Sequence, residues 1–95
     1  MKKVEKVFDQ NGKFCSWQHY CPGCKMHHAF DKRWSFNESP EIPSFSPSML
    51  VRYAWGESNE ERRCHYFLKD GKIQYLSDCT HELKGQTIEC PNIEA

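Results

Sequence analysis

Cys21-Pro22-Gly23-Cys24 sets two thiols at the spacing of a metal knuckle, and its Pro and Gly suit the tight turn that brings both sulfurs onto one ion. No βαβ pattern surrounds the motif, so it does not read as a thioredoxin-type redox pair. A closed tetrahedral site needs two further ligands. The segment CHYFLKDGKIQYLSDCTH, residues 64 to 81, offers them, opening on Cys64-His65 and ending on Cys79-Thr80-His81. The expected cofactor is therefore one Zn2+ held by Cys21, Cys24, Cys64 and Cys79, with His28, His65 and His81 as alternate ligands. Cys15 and Cys90 lack a ligand-spaced neighbour and are expected to be buried apolar thiols at strand positions. His19 and His27 are expected to be solvated or packing histidines.

The same segment predicts its own geometry. A two-residue Asp70-Gly71 turn makes Lys69 oppose Lys72, so Leu68 faces Ile73, Tyr66 faces Tyr75 and Cys64 faces Ser77 on one side of a hairpin. Cys79 follows two residues further along that side. His65, Phe67, Gln74, Leu76 and Asp78 point the other way, with His65 and Asp78 as diagonal neighbours. One side can complete a zinc site while the other orients an imidazole with a carboxylate.

The elements that must carry these groups have a period of two. Asn11-Gly12 links VEKVFDQ to KFCSWQHY as a hairpin, and FDKRWSFN and MLVRYAW read as further strands. The second of these puts Met49, Val51, Tyr53 and Trp55 on one face, expected to be core. ESPEIPSFSPS is too broken by proline for a strand interior, and GESNEERR is a polar connection. QTIEC is a last short strand, and THELK before Gly85 suits one helical turn. The expected fold is all-β: a single zinc-stabilised domain over residues 1–95, built of hairpins, with at most one or two helical turns.

Ninety-five residues bury too small a core to be generously stable, which is why a metal staple is physically attractive. Thirteen basic and 13 acidic residues cancel, so no global field draws the chain to nucleic acid or to anionic lipid. No apolar run reaches the ~18 residues of a membrane span, and MKKVEKVFDQ lacks the apolar stretch of a secretory signal. A cytoplasmic location is expected, in which thiols stay reduced and the knuckle reading is favoured over disulfides.

HYCPGCKMHHAF, WSFN, EIPSFSPSMLV and CHYFLKDGKIQYLSDCTHELKGQTIECP together resemble a family of short proteins of unknown function frequent in phage and prophage genomes. The resemblance implies a phage protein acting in the host cytoplasm. Some members carry the label ammonia monooxygenase, a membrane-bound activity at odds with a chain that has no membrane span. More distantly, Cys21, Cys24, Ser46, Pro47, Ser48, His65, Phe67 and Gly71 make the chain similar to a domain encoded beside bacterial ubiquitin-like conjugation genes and credited with peptidase activity. This chain departs from it in placing Cys64 directly before His65.

That second resemblance directs attention to Ser48, which follows a proline at the entrance to a strand. A serine hydroxyl is a poor nucleophile until an imidazole accepts its proton, a task open to His65 with Asp78 as orienting carboxylate. No G-x-S-x-G elbow is present. A metal hydrolase with Glu41 as base lacks an HExxH or comparable signature. The function expected first is binding of a host protein by a zinc-stapled module. The alternative is a hydrolase or peptidase using Ser48, His65 and Asp78, acting on a ubiquitin-like substrate. Binding of single-stranded nucleic acid is a lesser alternative, weakened by the neutral charge.

Overall fold

The computed structural model describes residues 1–54 and 61–93 and is all-β, as the patterning predicts. Among the described residues no helix is long and apolar enough to cross a membrane. Strands β1 (Glu5–Phe8), β2 (Phe14–Cys21) and β3 (Met26–Asp31) form one antiparallel sheet. A two-stranded ladder joins β4 (Ser35–Phe36) to β5 (Phe45–Ser46). The third sheet has the order β6 (Met49–Ala54), β7 (Glu61–Lys69), β8 (Lys72–Tyr75), β9 (Thr87–Glu89), again antiparallel. Trp55 and most of the polar GESNEERR connection lie outside the described residues.

The β7–β8 hairpin has the register that its turn dictates, with Lys69 opposite Lys72, Leu68 opposite Ile73 and Tyr66 opposite Tyr75. Asp70 and Gly71 adopt φ of 51° and 76°, the left-handed pair that a tight hairpin turn needs and that only Gly adopts without cost. The Gly71 N–H also donates to Pro43 O at 2.9 Å, which ties the proline-rich segment to the hairpin tip.

Three local readings are corrected. FDKRWSFN is not one strand: the Asp31 carboxylate accepts the Arg33 N–H at 2.9 Å, and the turn closes with Trp34 N–H on Asp31 O, separating β3 from β4. The segment after the knuckle, MHHAFD, is a strand that pairs with β2 from Cys21↔Met26 to Ser16↔Asp31. Cys15 is exposed rather than buried, because it is the extra residue where β2 shifts register between Ser16 and Phe14 against β1. Cys90, by contrast, is fully buried. THELK is a hydrogen-bonded turn, Lys84 N–H to His81 O at 3.2 Å, and not a helix.

The inward faces of the first and third sheets meet in one core containing Cys21, Phe30, Cys64, Tyr66, Leu68, Ile73 and Tyr75. Phe30 stacks on Phe45 at 4.2 Å between ring centres, and Trp34 and Tyr66 meet it edge-on. Phe30 thus locks all three sheets together. Phe30→Ala is expected to cost about 3–5 kcal/mol through lost burial and the cavity left behind, a drop of roughly 15 °C or more in melting temperature. A variant melting within a few degrees of the parent would place the core elsewhere.

Candidate functional site

Two sites share strand β7. Alternation sends Cys64 inward and His65 outward, so neighbouring residues serve opposite faces of the sheet. The hairpin geometry read from the sequence anticipates this division.

On the inner side, one ligand atom from each of Cys21, Cys24, His28 and Cys64 lies within 4.8 Å of all the others. The knuckle is shaped by its backbone: Lys25 takes φ 58°, its N–H donates to Cys21 O at 2.7 Å, and the Cys24 N–H points at Cys21 Sγ at 3.4 Å. His28 reaches the cluster from β3, inward by alternation with Phe30. Of the four thiols expected as ligands, Cys21, Cys24 and Cys64 are thus gathered, with the alternate His28 in the fourth place. Cys79 lies in a neighbouring group with Cys64 and His81. Its Sγ brackets the His65 backbone instead, accepting the N–H at 3.2 Å and donating to the carbonyl at 3.1 Å. His81 Nε2 sits 3.4 Å from Cys64 Sγ, and its ring lies so close to Gly23 that a Cβ there would fall within 2.6 Å of its atoms.

The donor set fits a metal on two counts. His28 Nε2 is buried without a hydrogen-bond partner, a costly arrangement that coordination would relieve. Cys21 Sγ and Cys64 Sγ are 3.8 Å apart, the edge of a tetrahedron with bonds of ~2.3 Å. Without an ion the cluster is electrostatically polarised. Burial opposes charge on His28, but the adjoining Cys21 and Cys24 sulfurs outweigh it and raise its pKa to about 9. Hydrogen bonds from Cys24 and Cys64 push the Cys21 thiol down, while the same contact with Cys21 pushes Cys64 up. Tyr75 adds a hydroxyl 3.1 Å from Cys21 Sγ, a contact that periodicity alone does not flag. His19, expected to pack or be solvated, packs: it is fully buried, its Nε2 is 2.6 Å from the Tyr66 hydroxyl, and burial followed by the nearby His28 lowers its pKa to about 4. His27 is exposed.

On the outer side, Ser48 Oγ lies 3.2 Å from His65 Nε2. His65 Nδ1 lies 3.3 and 3.2 Å from the two Asp78 carboxylate oxygens. A carboxylate only accepts, so Nδ1 carries the proton, leaving Nε2 to accept from the Ser48 hydroxyl. Asp78 is also approached by Arg63 Nη1 at 3.9 Å, a partner the sequence does not signal. Ser48 is held by its own backbone, whose carbonyl accepts Trp34 Nε1–H at 3.3 Å. His65, weighed above as a zinc ligand, has both ring nitrogens engaged in this chain of contacts. Glu41 is exposed and belongs to no Cys/His group among the described residues.

An open cavity of about 470 Å³ is lined in part by Phe36, Phe45, Ser46, Phe67 and Lys69; it reaches Ser46, two residues before the serine, and none of Ser48, His65 and Asp78 lines it. Phe67 shares the outer face of β7 with His65.

Comparison with known protein families matches residues 2–76 to a bacterial ubiquitination-like system serine protease family, BubE. The matched span includes Ser48 and His65 and stops just short of Asp78. No curated protein and no solved structure matches the chain.

Proposed function

The chain belongs to this family of bacterial ubiquitination-like system serine proteases, and on that premise we propose that it is a serine hydrolase acting through Ser48, His65 and Asp78. The observation that carries the reading is the Ser48–His65–Asp78 relay at 3.2 Å on each side of the imidazole. His65 Nε2 takes the hydroxyl proton as Ser48 Oγ attacks the scissile carbonyl, then returns it to the leaving amine as the acyl-enzyme forms. Water, deprotonated by the same nitrogen, releases the acid and restores the serine. Asp78 holds the imidazole in the productive tautomer and stabilises the imidazolium. The family description points to a ubiquitin-like protein, or a conjugate of one, as substrate. Binding of a host protein, expected first from the sequence, has no observation in its favour.

Zn2+ is proposed as the metal, held by Cys21, Cys24, His28 and Cys64. With these four protein ligands a bound ion would supply folding energy rather than a nucleophilic water. A bound ion would bear on the relay only through Cys64, which precedes His65 on β7 and faces the opposite side of the sheet.

A fluorophosphonate probe tests the proposal: an adduct mapped to Ser48 by mass spectrometry, which does not form on protein boiled beforehand, is the expected result, and its absence from the folded protein refutes the nucleophile. Asp78→Asn should retain folding and metal yet lower kcat about a hundredfold or more, because the amide no longer enforces the tautomer. Unchanged turnover would reduce Asp78 to a surface partner of Arg63.

A further inference from the structure

The nucleophile stands at the head of a sheet edge. β6 has one neighbour among the described residues, β7, and it begins at Met49, directly after Ser48. The direction of its backbone groups follows from β7. His65 O accepts Leu76 N–H at 2.9 Å, and Arg63 exchanges bonds with Thr80, its carbonyl accepting the Thr80 N–H and its N–H donating to Thr80 Oγ1, each at 2.9 Å. Both residues therefore spend their backbone groups on the side away from β6. Their partners across the ladder are Leu50 and Arg52, which must likewise turn their N–H and C=O away from β7, toward the open edge. Ser48 shares that parity, but its carbonyl is taken by Trp34 Nε1. Among the described residues the edge is thus capped at Ser48 and open at Leu50 and Arg52. Leu50 is also 47% exposed on the face that carries His65.

Unpaired edge amides invite one more strand, and a nucleophile at the capped end of such an edge defines where that strand is cut. We propose that β6 is the substrate-docking strand: an extended, flexible polypeptide segment adds to it as the sheet's next strand, paired through Leu50 and Arg52, and delivers its scissile carbonyl to Ser48. The inference rests on the hydrolase reading and deepens it by naming the substrate class. The protein cleaves strand-forming tails or linkers, with main-chain recognition at two alternate positions on one side of the cut. Folded loops, whose backbone is already paired, are excluded.

The peptide test uses the wild-type protein. A fluorogenic octapeptide is selected by turnover from a degenerate library, then N-methylated at one backbone nitrogen at a time. Strand addition predicts a period of two: methylation at alternate positions on one side of the cut raises KM at least tenfold, while the intervening position changes it less than threefold. A flat profile overturns the proposal, as does failure to cleave any library peptide by protein that fluorophosphonate labels at Ser48. Failure of labelling itself instead removes the hydrolase reading, so the two failures are distinguishable. A wild-type dimer in sedimentation that persists at assay concentration and protects the Leu50 and Arg52 amides from hydrogen exchange would also overturn it, since the edge would then be occupied by a second copy.

Discussion

Ser48→Ala is expected to abolish fluorophosphonate labelling and to lower kcat by about four orders of magnitude or more, with metal content unchanged. The large effect follows from covalent chemistry: without Oγ there is no acyl-enzyme, and His65 has no proton to accept. Its cost to stability is small. Ser48 is half-buried, and its hydroxyl makes one hydrogen bond, to His65, worth about 1 kcal/mol net. Adding His65→Ala to Ser48→Ala should bring little further loss of rate, because the two groups act as a unit. Parent-like turnover by Ser48→Ala, measured on protein that melts normally, would sink the assignment. A purely structural relay predicts the reverse pattern, with stability falling and no labelling in any variant.

What was legible in the sequence was what local rules fix. Asp70-Gly71 sets the β7–β8 register, and alternation along β7 separates Cys64 from His65; the ladder ends at Tyr66↔Tyr75, so Cys64 does not pair with Ser77, and Asp78 reaches His65 from the turn after β8. The knuckle was legible from C-x-x-C alone. The groups that complete both sites come from elements whose local signals are weak. MHHAFD alternates, but its inward residues include a histidine, so His28 reads as an isolated ligand rather than as one face of a strand. Trp34 anchors Ser48 because an Asx turn at Asp31 breaks an otherwise plausible strand, and an Asp in DKR carries little turn signal without the observed bond to Arg33. Cys15 escapes the core through a register shift set by β1, which no pattern within β2 reveals. Long-range placement, which puts His28 rather than Cys79 beside Cys21, Cys24 and Cys64, depends on how two sheets pack.

Chelation of the metal, or Cys21→Ser, is expected to unfold the protein and to take Ser48 labelling with it. The core is one small cluster, and half-buried residues such as Trp17, Trp34 and Leu83 pack around it, so a chain of this size keeps only a few kcal/mol in hand. Structural zinc contributes roughly 10–16 kcal/mol in comparable knuckles, more than that margin. Its removal also leaves His28 Nε2 buried without a hydrogen-bond partner, a desolvation cost that nothing then offsets. Because Cys64 and His65 are consecutive on β7, and Cys79 grips the His65 backbone from beside the cluster, the His65 imidazole cannot keep its position once β7 loosens. Elemental analysis should find one zinc per chain in the parent and in Cys15→Ser and Cys90→Ser, and none in Cys21→Ser. Restoring zinc to chelated parent protein should recover the melting transition and labelling together. A metal-free protein that still melts cooperatively and labels at Ser48 would show that the thiol–imidazole cluster is a packed core and not a metal centre.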